Sequence, residues 1–404
     1  MVKTPPSPSP KPLPAILTKT MKINLTLILT LFISTSLFAQ KTDTLNFYSK
    51  AFEKERTIYI TTPEFYKYQS NEVKLPVIYI LDGQHEWFVN PLKSTIEYLQ
   101  YTHHIPAAII VTIPTTNRFK EFGIIGLNEN ELPLHKFITH EVDEKIQKYH
   151  PSKYKIIIGH SFSASFALYS YLKSPNYYSA VIANTLSDSF KELILAFEAD
   201  KQIDKSKISI SVGGIAENED FPHRKPFDAL KSEFPDFFNL ITTFIADKTK
   251  HNAVPIVANP YLLIKVFSGF KDRFVEITKR NSEYRLKNKP ISVNEELTKI
   301  ESASRIGDYF YPPEIPELNE MASLYKNEGL NEYAIAIYEL ATKYYPNHYY
   351  FHYQLYKLLS PINIESSKVH LNKAYELLNS FENDFLGKKE ELNDIAIEKK
   401  KNGW

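Results

Sequence analysis

Apolar positions along this chain follow two periods in turn, and the alternation sets out the architecture. Between Thr44 and Pro63 the residues Leu45, Phe47 and Tyr48, then Arg56 to Ile60, alternate in the manner of two strands joined by the charged stretch Glu53 to Glu55. Val77 to Leu81 is a short apolar run ending in Asp82-Gly83-Gln84, and Trp87 to Leu99 follows at helical spacing. Ala107 to Ile113 is the next buried strand, closed by Pro114. Leu134 to Tyr149 predicts an amphipathic helix with Phe137, Ile138, Val142 and Ile146 on one side. Strand and helix then keep alternating: strands at Ile156 to Ile158, Ala180 to Ala183, Ile208 to Val212 and Leu240 to Ile245, helices at Phe190 to Phe197, Phe227 to Phe234 and Tyr261 to Phe267. Such alternation predicts an α/β fold, a mostly parallel sheet with helices on both faces.

Beyond this region the period changes. Lys271 to Glu301 is charged and weakly periodic, a linker with some helix, and Pro312, Pro313 and Pro316 then punctuate the chain. From Ile315 the residues Leu318, Met321, Ala322, Tyr325, Ala334, Tyr338, Ala341 and Pro346 fall at the offsets of a tetratricopeptide repeat. A second unit from about Tyr349 keeps Leu355 and Ala374 to Leu378 but drifts in register. One good unit and one poor one predict a small all-α appendage packed against the α/β part, with a protein partner bound through these helices as the alternative. The Lys399 to Lys401 tail is a solvated helix end.

Upstream, residues 1–20 are rich in Pro, Ser and Lys and predict disorder. Met21 opens a different pattern: Lys22, an apolar run from Leu25 to Leu37, then Phe38-Ala39 before Gln40. This is the layout of a secretory signal peptide over 21–39, too short for a stable membrane span, and it predicts a periplasmic or secreted mature protein. The domain plan is therefore 1–20, 21–39, an α/β domain over 40–278, a linker over 279–313 and a helical region over 314–404.

Composition narrows the function classes. Hydrophobic residues make up 43% and charged residues 24% of 404, ordinary globular usage that allows a large core. A net charge of +1 gives no electrostatic reason to expect nucleic acid as partner. Cysteine is absent, which removes disulfides, thiolate catalysis and cysteine-ligated zinc together. There is no HExxH and no glycine-rich phosphate loop, so no metal or cofactor is expected. The 27 Tyr and 26 Phe fill cores first and could also line a pocket.

The chemistry-bearing stretch is Lys155 to Leu168: the Ile156 strand, then Gly159-His160-Ser161-Phe162-Ser163, then a helical run. A G-x-S-x-G elbow between strand and helix lifts a serine hydroxyl clear of the sheet. Here Ser163 takes the second glycine position. In open parallel sheets ligands gather beyond the carboxyl ends of the strands. Two later strand ends carry polar residues: Gly213-Gly214 followed by Glu217, Glu219 and Asp220, and Asp247 to Asn252 with His251. Serine, acid and histidine in that order suit a Ser-His-acid triad. The imidazole takes the serine proton and returns it to the leaving group, while the carboxylate fixes its tautomer. Ser161 is the expected nucleophile, His251 the base and Glu217 the favoured acid, with Glu219 and Asp220 as alternatives. One backbone N–H of the expected oxyanion hole comes from Phe162 and the other from the loop after an earlier strand, where Asp82-Gly83-Gln84 is best placed. His160 supports the elbow rather than acting as base, and His103-His104 is structural or exposed.

LPVIYILDGQ (Leu75 to Gln84), GHSFSASFAL (Gly159 to Leu168), SAVIANTLS (Ser179 to Ser187), SVGGIAENED (Ser211 to Asp220) and KHNAVP (Lys250 to Pro255) together resemble the putative-esterase family of α/β hydrolases. That family includes siderophore esterases of the ferric enterobactin type, esterase D, feruloyl esterases and mycolyl transferases. The resemblance spans roughly 44–279 and implies a serine esterase acting through an acyl-enzyme at Ser161. It implies Ser161 as nucleophile, His251 as base, an acid at or near Glu217, and the backbone N–H groups of Gln84 and Phe162 as the oxyanion hole. The signal peptide makes a secreted enzyme the expectation, and small-molecule or glycan-linked esters of siderophore, sugar or feruloyl type are all compatible with an aromatic-rich pocket. An acyltransferase on the same fold and a catalytically degenerate hydrolase are the alternatives. The sequence departs from the family pattern at Ser163, usually glycine, and at Thr185 to Ser187, where a Ser-Pro-Ser-like loop is common. Replacing Ser163 by glycine is accordingly expected to preserve or improve activity.

Overall fold

The computed structural model describes residues 41–124, 127, 131–187, 189–381 and 387–404. The disordered segment and the signal peptide expected over 1–39 lie outside the described residues. Eight strands form one sheet: β1 Lys41–Ser49, β2 Lys54–Thr62, β3 Leu75–Ile80, β4 Ile109–Thr112, β5 Pro151–Ser161, β6 Ala180–Leu186, β7 Ile208–Val212 and β8 Thr242–Ile245. Their spatial order is β1-β2-β4-β3-β5-β6-β7-β8. The β1–β2 and β2–β4 pairs are antiparallel, and every pair from β4–β3 to β7–β8 is parallel. This is the mostly parallel sheet with an antiparallel lead-in that the pattern predicted.

Helices α1 Glu86–Tyr101, α2 Phe162–Lys173, α3 Phe190–Ala199, α4 Phe221–Glu233 and α5 Val254–Val266 connect the strands. The pleat sends successive side chains to opposite faces, so β3 divides its residues between two cores. Ile78 and Ile80 join Leu92 and Ile96 of α1 and Leu262 of α5 on one face, and Val77 and Tyr79 join Phe166 of α2 and Ile194 of α3 on the other. Ile156 and Ile158 go with the first set and Ile157 with the second.

Several boundaries move for local reasons. The helix predicted over Leu134 to Tyr149 is one run of four pieces, Pro133–Lys136 (α), Phe137–Val142 (π), Asp143–Ile146 (α) and Gln147–Tyr149 (3-10). β8 begins at Thr242 because Pro235 starts a short helix, Pro235–Leu240, that takes the residues before it. α4 and α5 start well upstream of the predicted Phe227 and Tyr261, each with a proline in its first turn.

The linker region is more ordered than its charge suggested. It holds helix α6 Val293–Ala303, N-capped by the Ser292 side chain, and a two-stranded ladder pairing Arg305–Ile306 with Tyr309–Phe310. Helices α7 Ile315–Asn327, α8 Asn331–Tyr344, α9 Tyr349–Leu359, α10 Ile364–Ser380 and α11 Lys388–Lys401 complete the chain. Leu318, Met321, Ala322, Tyr325, Ala334, Tyr338 and Ala341 are all buried, and they share a continuous apolar cluster with Tyr79 and Phe166 of the α/β part. Backbone bonds bind the two regions as well: Ser70 N–H donates to the Tyr344 carbonyl at 2.7 Å, and Ala107 N–H donates to the Glu314 carboxylate at 2.8 Å. Among the described residues no helix is long and apolar enough to cross a membrane.

Candidate active site

The elbow forms because strand β5 runs straight into helix α2 through one residue. Ser161, at that junction, takes φ 61° and ψ −122°, a conformation that costs a non-glycine residue of order 1–3 kcal/mol. Strand and helix must nearly touch there. A Cβ on Gly159 would collide with the Ser163 carbonyl and come within 2.7 Å of Ala164 N, so only glycine fits. Three further non-glycine residues with positive φ stand at or just past the carboxyl ends of strands: Asp82 after β3 (58°), Thr185 in β6 (49°) and Lys248 after β8 (58°). Backbone strain of this kind, held in place by the surrounding structure, is often found at functional sites.

The acid is where structure and expectation part. Glu217 is exposed on the loop after β7, whereas Asp220 is completely buried at the N-cap of α4. Asp220 Oδ1 accepts from His251 Nδ1 at 3.0 Å, and Oδ2 accepts from Gly213 N–H at 2.9 Å and from the Thr185 hydroxyl at 3.2 Å. Glu217 is therefore replaced by Asp220 as the partner of His251. The loop explains the change: β7 ends at Val212, the chain runs out through exposed residues 215–218, and it returns so that Asp220 N–H bonds the Gly214 carbonyl at 3.2 Å. Gly213 permits that return, since a Cβ there would stand 2.5 Å from both Asp220 Cβ and the Thr249 carbonyl. Glu219 instead folds onto its own loop and accepts from Ala216 N–H.

Burial alone would raise the carboxyl pKa of Asp220, but the hydrogen bonds from His223, His251 and Gly213 outweigh it and hold the group well below the usual carboxylate range. It is thus an anion at neutral pH, and an anion can only accept. His251 must carry its proton on Nδ1, which leaves the Nε2 lone pair free to receive one.

His160 and His251 are neighbours, with ring centroids 4.6 Å apart and His160 Nε2 donating to the His251 carbonyl at 3.1 Å. The residue before the elbow serine thus fixes the loop that carries His251. Burial, and then the proximity of His251, push the His160 pKa down to about 3, so it is a neutral support and not a base.

A second network holds the loop expected to supply one oxyanion donor. Ser163, fully buried, donates its hydroxyl to Asp82 Oδ2 at 2.6 Å and accepts from His160 N–H at 2.8 Å. Arg118 grips both Asp82 oxygens, Nε to Oδ1 at 2.7 Å and Nη2 to Oδ2 at 2.8 Å, and also reaches the His160 carbonyl at 2.8 Å. The Gln84 side chain is tied at both ends, donating to Asp82 Oδ1 at 3.0 Å and accepting from Thr115 N–H at 2.8 Å. These bonds fix the backbone at Gln84. Phe162 is the first residue of α2, where no intrahelical carbonyl lies within reach of its N–H. Ser163 therefore makes bonds that a glycine could not.

Ser161 pairs in register with Leu186, and beside Leu186 opens a pocket of about 350 Å³ lined by Phe190, Val212, His223, Phe227 and Leu230. A wider open groove of about 800 Å³ lies between Phe47, Lys50, Glu141 and Lys145, and neither Ser161, Asp220 nor His251 lines it. Chemistry, not size, selects the first. Asp220, His223 and His251 each offer one ligand-type atom within 4.8 Å of the others. Both imidazoles already direct Nδ1 to Asp220 Oδ1, at 2.9 Å from His223 and 3.0 Å from His251, so the trio is described as two imidazoles sharing a carboxylate. Arg118, the Ser163 hydroxyl and His223 escaped the sequence reading. The loop after β4 is itself a strand end, and inspecting it would have singled out Arg118.

Residues 49–220 match the family model described as "Putative esterase". No curated protein matches the sequence. The crystal structure of an IroE-like serine hydrolase from Shewanella oneidensis is similar with a TM-score of 0.55 at 20% identity, over 74% of this chain and 98% of that one. An uncharacterised protein from Capnocytophaga ochracea is similar with a TM-score of 0.52 at 12% identity, over 88% of this chain and 100% of that one. That 88% is too large a share for the α/β region alone, so the likeness extends into the C-terminal helices. The fold is that of the α/β hydrolases.

Proposed function

Proceeding from the esterase match over residues 49–220, we propose that this protein is a serine carboxylic-ester hydrolase that works through an acyl-enzyme at Ser161. The observation that carries the reading is the His251 Nδ1 to Asp220 bond of 3.0 Å, at a carboxylate kept ionised in the protein interior. It sets the tautomer that a general base needs and stabilises the imidazolium formed next. His251 Nε2 takes the Ser161 proton as the hydroxyl oxygen attacks the ester carbonyl. The tetrahedral oxyanion is met by the Gln84 and Phe162 N–H groups, an arrangement whose single donors are worth about 10²–10³ in rate. His251 then returns the proton to the departing alcohol, and water repeats the sequence on the acyl-serine.

The pocket beside Leu186 takes one side of the ester, and its apolar lining suits siderophore-, sugar- or feruloyl-type esters with an apolar or aromatic face. The apolar run ahead of Ala39 supports export to the periplasm or beyond. The deciding experiment is p-nitrophenyl acetate hydrolysis by mature protein from Gln40 onward, with and without Ser161→Ala. Turnover is expected to vanish in the variant while its circular dichroism is unchanged; equal turnover by the two proteins would sink the assignment.

A further inference from the structure

Asp220 carries a second imidazole. His223 Nδ1 lies 2.9 Å from Oδ1, the same oxygen that accepts from His251 Nδ1 at 3.0 Å. The two rings stack with centroids 4.3 Å apart at 23°. His223 sits in the first turn of α4, but that turn does not depend on its side chain, because the His223 backbone N–H already bonds the Asp220 carbonyl at 3.0 Å. Nor does Asp220 lack donors without it, since Gly213 and Thr185 engage Oδ2 and His251 engages Oδ1.

We propose that His223 is a positioning residue for the triad: it pins the Asp220 carboxylate and draws off part of its charge, which makes His251 harder to protonate and carries hydrolysis into more acidic solution. The inference rests on the esterase reading of this site. Two effects act with the same sign. A neutral His223 donates a hydrogen bond to Oδ1, and a donor to a carboxylate weakens that carboxylate's hold on a neighbouring cation. A protonated His223 would face His251 across the stack as a like charge. The two basic residues nearby are engaged elsewhere. Lys191 and Glu192 of α3 line the same pocket, and Lys191 is paired with Glu233 at 2.5 Å. Arg224 is turned to Asp228 at 2.9 Å, with Asp247 at 3.6 Å. His160, beyond His251, is held neutral by burial. His223 is 29% exposed at its side chain, so solvent protons reach it.

The test compares wild type with His223→Leu and His223→Asn in the full chain, since an asparagine Nδ2 can stand where the imidazole Nδ1 stands. In His223→Leu the acid limb of kcat/KM for p-nitrophenyl acetate should move up by about 0.5–1 pH unit, and His223→Asn should bring it back toward wild type. A merely structural role would lower the plateau and the stability without moving the midpoint. An unmoved limb in His223→Leu, or an asparagine variant that behaves like leucine, overturns the proposal. The His251 ring is also titrated by NMR in the Ser161→Ala background. There the same upward displacement in His223→Leu is expected whether or not esters turn over, so a failed esterase assignment and a failed role for His223 give different results.

Discussion

The Ser163 hydroxyl donates to the Asp82 carboxylate at 2.6 Å and joins the residue two places after the elbow serine to the loop that ends β3. Through it the ends of β3 and β5 are held in one network with Arg118 and Gln84. A charge-assisted bond of this kind in a buried setting contributes about 1.5–3 kcal/mol. Ser163→Ala should therefore destabilise the protein by about 2 kcal/mol, and Ser163→Gly by up to about 1 kcal/mol more through backbone entropy. With the Gln84 loop loosened, kcat should fall by about 10-fold while KM changes little. Urea unfolding and steady-state kinetics on both variants check this, and a glycine variant as active as wild type would refute it.

Asp220 and Glu217 are three residues apart and differ completely in burial. Asp220→Asn should lower kcat by about 10³–10⁴, because the amide can donate to His251 and favour the wrong tautomer. Glu217→Gln should stay within about 2-fold of wild type, as surface substitutions do. The reverse ranking would return the acid role to Glu217.

Arg118 is clamped to a carboxylate that is 1% exposed, so its removal strands a buried charge. Arg118→Met should cost about 3 kcal/mol, the usual penalty for breaking such a pair from one side. Lysine cannot reproduce the two-pronged grip and should rescue little. The double variant Arg118→Met with Asp82→Asn should cost clearly less than the sum of the single changes, which a double-mutant cycle in urea would reveal.

Burial pushes the His160 pKa down to about 3, and those of His135 and His348 down to about 4. An unfolded histidine titrates near 6.5. As pH falls from about 6.5 toward 4 the unfolded chain takes up protons that the native one refuses, so stability falls with pH by about 1.4 kcal/mol per unit for each such residue. Unfolding free energies at pH 6.0, 5.25 and 4.5 should show this slope, with stability nearly level above pH 7. Replacing His135, which is fully buried between the Ser170 and Ser174 hydroxyls, by Gln should flatten it.

Glu314 is 6% exposed and ties helix α7 to the α/β part, accepting from Ala107 N–H at 2.8 Å and standing 3.3 Å from His103 Nδ1. It also closes the capping box of α7 with Glu317. Glu314→Ala should cost about 2–3 kcal/mol, the sum of a lost cap and an unsatisfied buried N–H. Because the two regions share one apolar cluster, unfolding should remain a single transition at a lower urea midpoint. A separate early transition of the helices would show them to be independent.

Most of the sheet was legible because periods of two and of 3.6 residues are local signals, and each strand from Val77 to Ile245 carries its own apolar run. The elbow was legible for the same reason: strand, small residues and helix adjoin along the chain. The choice of acid was not. Glu217, Glu219 and Asp220 offer one chemistry within four residues, and which of them meets His251 depends on a return loop whose path is set by the contact of Gly213 with Thr249, 36 positions away. Arg118 stands 36 residues from Asp82, and Glu314 stands 207 from Ala107.

The sequence by itself determined the alternating α/β plan, the serine at its strained junction, and the order serine, acid, histidine at successive strand ends, because each is written in neighbouring residues. Only the tertiary structure decided that Asp220 is the buried partner, that Ser163 holds Asp82, that His223 shares the carboxylate, and that the C-terminal helices belong to the same core. Those are contacts between side chains brought together by packing, and hydrogen bonds that reach a few ångströms leave no periodic trace in a chain that separates their partners by dozens of residues.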